Sequence, residues 1–289
     1  MTLHPHTILM NYVIGLCKGN KEWVSILRDL QYNVEIIEQD IRTGGGKSVK
    51  PDIIKVSKKR NHAIVIECKS GTNDQEQMSR YKTLTNDDLL RWIDVPSKEQ
   101  FKFDVCIVDF ESNHKDIVGT TDFPIITFGN TTITKSNNFS ETNLDSALSN
   151  SIDISKMTPT LDYYPFSEFD TDSVIIPRLL RIMITLAMKR ARGGQDVFNQ
   201  AIFGTDDILE KIHPLWKALS QEHREKLRER IRQIIQRLIG SYGELSTHLQ
   251  NVQRDGFRVR GPPESFTTLC EKIIEESSSQ MTFDDLPKS

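Results

Sequence analysis

Asp52, Glu67 and Lys69 are the residues in this chain whose types and spacing could do chemistry. Asp52 opens the run Pro51-Asp52-Ile53-Ile54-Lys55-Val56, and Glu67 and Lys69 close the run from Ala63 to Lys69. Both runs are rich in β-branched residues and flank a polar turn, Ser57 to His62, so together they read as a hairpin. With Lys58 to Asn61 as the loop, Ser57 pairs with His62 and the register sets Asp52 directly opposite Glu67. Directly paired residues in an antiparallel sheet have Cβ atoms about 4.5–5.5 Å apart. Two carboxylates at that separation repel each other, so the arrangement needs a cation. Lys69, two residues beyond Glu67, shares its strand face. It supplies an ammonium that can handle a proton or stabilise charge, but it does not replace a metal.

Further residues extend the pattern. Gln77-Met78-Ser79-Arg80-Tyr81 follows the second strand, and Gln77 and Tyr81, four apart, share one face of a predicted helix over Asn73 to Leu84. Asn73 or Asp74 would cap that helix. Upstream, Lys18-Gly19-Asn20-Lys21-Glu22 is expected to open an amphipathic helix. The order helix-Glu, Pro-Asp, Glu-x-Lys, Gln-x-x-x-Tyr resembles the PD-(D/E)XK nuclease superfamily over about residues 10–110, and the Gln-x-x-x-Tyr element resembles its RecB-like members.

The resemblance implies a metal-dependent nuclease that hydrolyses phosphodiester bonds of DNA, with RNA as an alternative substrate. It implies Mg²⁺, with Mn²⁺ as a substitute, held by Asp52, Glu67 and the backbone carbonyl of Cys68. Mg²⁺ takes oxygen ligands and usually one or two carboxylates. Lys69 would orient the attacking water or stabilise the transition state, Gln77 and Tyr81 would position substrate or catalytic groups, and Glu22 would be an additional acidic residue for a metal. Restriction, recombination, transposition and phage-defence systems contain such enzymes. A double-strand cut requires two active sites, so a homodimer or a partner protein is implied. The alternative is a nucleic-acid-binding regulator that keeps the fold with weak catalysis. Among the histidines, His62 is expected to be exposed at the hairpin turn, and His213, His223 and His248 have no metal-ligand spacing.

Elements that could position these residues follow from periodicity. Residues 7–31 read as helical, with Trp23, Ile26, Leu27 and Leu30 as an apolar stripe. Tyr32 to Ile41 reads as a first strand, and Phe103 to Phe110 and Phe123 to Phe128 as later ones. Thr43 to Ser48 looks briefly like a phosphate-binding loop, but Ile41 stands where that motif needs glycine and a strand follows, so nucleotide hydrolysis there is rejected. The expected fold is α/β: a restriction-endonuclease-like mixed sheet flanked by helices over residues 1–135. Residues 136–162, rich in Ser, Asn, Thr and Asp, read as a polar linker. A mainly helical domain over 163–289 follows.

In that last region Val174 to Ala191 reads as a helix terminated by Gly193-Gly194. Ile208 to Leu219 and Gln221 to Ile239 read as two more, with Ser220 as N-cap. A hairpin turning at Asp255-Gly256 and a final helix complete the order of a winged helix in outline, a helical bundle being the alternative. Residues 178–260 carry sixteen Lys and Arg against nine Asp and Glu, a surplus that suits a polyanionic partner although the whole chain is at −3. The four cysteines form no Cys-x-x-Cys pair, which argues against zinc. The N-terminus lacks a signal-peptide pattern and no stretch approaches the roughly 20 apolar residues of a membrane span, so a cytoplasmic protein with no membrane partner is expected.

Overall fold

The computed structural model describes residues 3–18, 22–71, 75–191, 202–253 and 256–279. It divides into two compact units, one of Pro5–Tyr164 with Lys217–His223, the other of Met1–His4, Pro165–Trp216 and Arg224–Ser289. No described helix is long and apolar enough to cross a membrane.

The first unit is built on a mixed seven-stranded sheet. In spatial order its strands are β1 (Asn33–Ile37), β4 (Ile53–Ser57), β5 (His62–Lys69), β6 (Lys102–Phe110), β7 (Ile125–Phe128), β8 (Thr132–Ser136) and β9 (Ile152–Asp153). β5 pairs with β6 and β6 with β7 in parallel, and every other pair is antiparallel. A separate ribbon joins β2 (Ile41–Arg42) to β3 (Ser48–Val49).

Every residue of β4 and β5 is buried. Strands covered on both faces read as near-continuous apolar runs, which is why this pair was legible. The hairpin has the expected register, from Ser57↔His62 to Ile53↔Ile66. Its turn is closed by Asn61 at φ 52°, a conformation asparagine tolerates. Helix α1 (Pro5–Lys18) covers one face with Met10, Val13 and Ile14, starting at a proline whose missing N–H costs nothing at the first helical position. α3 (Gln75–Tyr81) and α4 (Asn86–Leu89) cover the other, where Met78, Tyr81 and Leu89 join Ile54, Val65, Val105 and Ile107. The cap residues Asn73 and Asp74 expected for α3 lie outside the described residues.

Several expectations are corrected. The helix over 7–31 is broken: α1 ends at Lys18, and a short α2 (Ile26–Asp29) follows. Trp23 folds back on α1, where a Cβ at Gly15 would stand 2.6 Å from its ring. Lys18 therefore closes a helix where one was expected to open, and Glu22 lies in an exposed turn. The strand over 32–41 stops at Ile37 because Glu38 takes φ 57°. His62 is buried, its Nδ1 2.9 Å from the Tyr32 hydroxyl. Residues 136–162 are no linker. They follow the short α5 (His114–Ile117) and contain α6 (Thr142–Ala147) and β9, and β9 extends the sheet. An edge needs few apolar anchors, and Ile133, Phe139, Leu144, Leu148 and Ile154 supply them.

The second unit is mainly helical, with α7 (Asp172–Ala191), α8 (Thr205–Ile212), α9 (Gln221–Ser241), α10 (Gly243–His248) and α11 (Pro263–Ser279). α9 enters it at Arg224. α8 ends before His213-Pro214, short of the predicted Leu219, because the residue preceding a proline is driven out of the helical region. The predicted hairpin is present as β11 (Leu249–Gln253) and β12 (Gly256–Val259), and β10 (Ile202–Gly204) adds a strand that periodicity did not reveal. The sheet order is β10-β12-β11. Gly193-Gly194, Arg254 and Asp255 lie outside the described residues.

The folded status of 136–162 can be tested at Leu144, which is fully buried. Leu144→Ala should destabilise the protein by about 2–5 kcal/mol in urea titration, as core truncations do; a linker residue would leave the transition unmoved.

Candidate active site

Glu67 is held on three sides. Tyr81 donates its hydroxyl to Oε2 at 2.6 Å, Gln77 donates its amide to Oε1 at 2.7 Å, and the Lys69 ammonium stands 3.0 Å from Oε1. Gln77 closes the ring by accepting from Lys69 through its own Oε1. β5 aims Glu67 and Lys69 at the face that α3 covers, and the four-residue spacing of Gln77 and Tyr81 brings both onto Glu67. The sequence-predicted set Glu67, Lys69, Gln77 and Tyr81 is thus one constellation.

Asp52 sits one step before β4. Its backbone N–H donates to the Ile66 carbonyl at 3.0 Å, and its Oδ2 accepts from the Cys68 N–H at 2.6 Å. Cys68 enters the site through that N–H; its thiol lies 3.8 Å from the Met10 sulfur, and burial keeps it protonated.

Two residues that sequence reasoning did not single out complete the group. His6, in the first turn of α1, places Nε2 3.1 Å from Asp52 Oδ1. Glu38 donates its backbone N–H to the Asp52 carbonyl at 3.0 Å, while its carboxylate is 2.7 Å from the Lys50 ammonium. One ligand atom from each of His6, Glu38 and Asp52 falls within 4.8 Å of the others, and all three residues are buried. A left-handed backbone at a non-glycine residue such as Glu38 costs on the order of 1–3 kcal/mol and collects at functional sites. No sequence signal marked it, because Glu38 fell inside a predicted strand. His6 offered only a lone histidine near the N-terminus.

Glu22 does not join this group. It lies beyond the far end of α1, whose twelve steps from His6 to Lys18 span about 18 Å. A second polar cluster does adjoin it. Asp109 pairs with Lys69 in the parallel register and is fully buried; its Oδ2 is 3.4 Å from His114 Nδ1, which is 2.8 Å from the Thr127 hydroxyl.

The charges explain the titration behaviour. Burial, then the negative charge of Asp52, pushes Glu67 from its ordinary 4.5 up to about 7, against the opposing pull of Lys69 and Tyr81. Burial and Asp52 likewise raise Glu38, with Lys50 resisting. Burial alone would lower His6, but Asp52 beside it, helped by Glu38 and Glu67, carries it up to about 9. The donor set of one imidazole and several carboxylate oxygens suits a divalent ion that accepts oxygen and nitrogen, such as Mn²⁺, and a hard ion such as Mg²⁺ through its oxygens.

The chain belongs to the MJECL32 domain family, whose model matches residues 5–166, close to the bounds of the first unit. A domain of unknown function (DUF8601) matches residues 168–259. No curated protein matches the chain. One solved structure, described as the cryoEM structure of a DrdV-DNA complex, is similar at 14% identity with a TM-score of 0.18. The match covers 96% of this chain and 27% of that one, and a likeness this low carries no argument.

The raised pKa values of Glu67 and His6 mean that the folded state favours the protonated group. Glu67's contribution to stability is fully present below about 4.5 and is lost as pH rises through about 7; His6's is present below about 6.5 and is lost through about 9. Without metal, the wild type should lose stability relative to Glu67→Gln across the first window and relative to His6→Gln across the second, by a few kcal/mol each. Thermal unfolding in EDTA from pH 4 to 10 measures this. Curves that run parallel for wild type and variants would disprove the coupling.

Proposed function

We propose that the first unit is a metal-dependent nuclease that hydrolyses phosphodiester bonds of DNA. The observation that carries this reading is the convergence of Lys69, Gln77 and Tyr81 on Glu67, with Asp52 and His6 at the adjoining strand end. Ion pairing alone would not require a buried tyrosine and a glutamine to be spent on one carboxylate. His6, Asp52 and Glu38 would hold the ion, and Glu67 would join them when metal replaces its proton. A bound Mg²⁺ or Mn²⁺ would polarise a phosphoryl oxygen and offset the charge that builds at phosphorus. Lys69, 3.0 Å from Glu67 Oε1, would orient the attacking water or stabilise that charge. Gln77 fixes the Lys69 ammonium, and Tyr81 fixes the Glu67 carboxylate. The Cys68 N–H holds Asp52 in place, so Asp52→Ala removes a backbone partner as well as a charge.

The second unit's role in this reading is to hold nucleic acid. Its three-stranded order, β10-β12-β11, beside several helices supports the winged-helix reading. The arginines of α9 are largely balanced within the unit: Arg228 meets Asp206 at 2.6 and 3.1 Å, Arg230 and Arg237 meet Asp172 at 2.8 and 2.5 Å, and Arg232 meets Glu229. Arg258 on β12 and the exposed Arg260 beyond it are therefore better placed for phosphates than the helix face.

Two measurements follow. Linear, circular and single-stranded DNA, and RNA, should be incubated with Mg²⁺, Mn²⁺ or EDTA. Cleavage of DNA should need metal and vanish in Asp52→Asn, Glu67→Gln and Lys69→Ala, while Gln77→Ala and Tyr81→Phe slow it. His6→Ala should raise the metal concentration required, more for Mn²⁺ than for Mg²⁺. Wild-type cleavage by a folded Glu67→Gln protein would sink the reading, and cleavage of RNA alone would change its substrate. Separately, Arg258→Ala with Arg260→Ala should reduce the salt dependence of duplex binding by up to about two units of the log–log slope, each phosphate contact being worth about 0.9. An unchanged slope would remove the hairpin from the interface.

A further inference from the structure

A cavity of about 450 Å³ opens in the first unit at the ends of β6 and β7. Its walls include Tyr12, Trp23, Phe110 and Phe128, and Glu111, Gly129 and Asn130 line the same space. Tyr12 is the centre of the aromatic group, with its ring 5.1 Å from Trp23, 5.2 Å from Phe128 and 6.1 Å from Phe110. Phe110 and Phe128 are register partners and end their strands. The chain that leaves those ends supplies the polar groups. A Cβ on Gly129 would stand 2.7 Å from Glu111 Oε2, so the bare glycine makes the room that this carboxylate occupies.

We propose that this cavity is a nucleobase pocket that selects guanine. Its volume lies within the roughly 300–1,000 Å³ of small-molecule sites. Aromatic walls take any base, because every base has a π-face, so selectivity has to come from Glu111. A carboxylate only accepts hydrogen bonds. Guanine alone presents two adjacent N–H donors on its pairing edge, N1–H and the N2 amino group, and these match the two carboxylate oxygens. Adenine and cytosine would each turn a ring-nitrogen lone pair toward Glu111, and uracil offers one N–H between two carbonyls.

The pocket shares its supports with the candidate active site. α1 carries both His6 and Tyr12, about 9 Å apart along its axis. Asp109, the register partner of Lys69, immediately precedes Phe110. A strand whose phosphate lay at Asp52 and Glu67 would have a neighbouring base within reach of the cavity. That link rests on the nuclease reading; the pocket itself does not.

The test separates the two. The full-length protein is titrated with GMP, AMP, CMP and UMP in EDTA, where no cutting occurs, by calorimetry and by quenching of tryptophan fluorescence. GMP should bind saturably and at least about tenfold more tightly than the others, as charge-assisted hydrogen bonds allow. Glu111→Gln should lose that margin and bring GMP level with AMP. Gly129→Ala should do the same by displacing the carboxylate, and because Glu111 is exposed the melting temperature of Glu111→Gln should match wild type. Equal affinity for all four nucleotides, no binding at millimolar concentration, or an unchanged margin in a folded Glu111→Gln protein would each overturn the pocket. Guanine-selective binding by a protein that cuts no nucleic acid would uphold the pocket and defeat the nuclease reading, whereas cutting without guanine binding would do the reverse.

Discussion

Repulsion among buried carboxylates is the constraint on which the first unit depends. Asp52, Glu38 and Glu67 are each less than a tenth exposed, and burial, then the charge of Asp52, raises the pKa of Glu38 and of Glu67. In a medium less polarisable than water such charges repel far more than at a surface. The fold answers with a positive group for each: His6 for Asp52, Lys50 for Glu38, Lys69 for Glu67. The remaining excess is taken up by protons, which a divalent cation would displace. Burial and the charge of Asp52 both favour the neutral carboxylic acid, and that is the physical content of the raised pKa values of Glu38 and Glu67.

This geometry needs a rigid frame. β4 and β5 are buried on both faces, so a slip of one residue would drive an apolar set into the wrong layer. The register is therefore fixed far from the chemistry, by Val65 and Ile54 on one face and Ile64 and Ile66 on the other. Asp52 and Glu67 lie at the open end of that frame. α1 is tied to it by Lys55, whose buried ammonium donates to the Val13 carbonyl at 2.5 Å. Burial lowers the pKa of Lys55, so this contact ties the helix by a hydrogen bond whether or not the lysine is charged. The same helix delivers His6 to the carboxylates and Tyr12 to the aromatic cavity.

The second unit handles charge differently. Its arginines are numerous, yet on α9 most meet an acid supplied by the same unit, and Arg228 also lies over the Trp216 ring at 5.6 Å. Exposed pairs of this kind contribute little to stability. They do change what a charge surplus means, since an arginine engaged at 2.6 Å must exchange one carboxylate for another anion before it can bind a phosphate.

Sequence alone determined the hairpin, its register, the shared strand face of Glu67 and Lys69, and the shared helix face of Gln77 and Tyr81. These depend on short-range rules: period two along a strand, four residues along a helix, and a turn of fixed length. It also indicated the mixed sheet and the helical second unit, through apolar runs that two-sided burial demands. Tertiary structure decided the rest. His6 and Asp52 are forty-six residues apart and meet because a helix packs across a sheet. Glu38 turns inward through a backbone conformation that its residue type does not announce. Trp23 left its apparent helical stripe because Gly15 had room for it, and the polar stretch after β7 became sheet because an edge strand needs only a few anchors. Glu22, legible by position in a motif, was carried to the wrong end of α1. A pattern in sequence records neighbours along one element; which elements face one another is set by packing, and packing placed the histidine, the second carboxylate and the aromatic cavity.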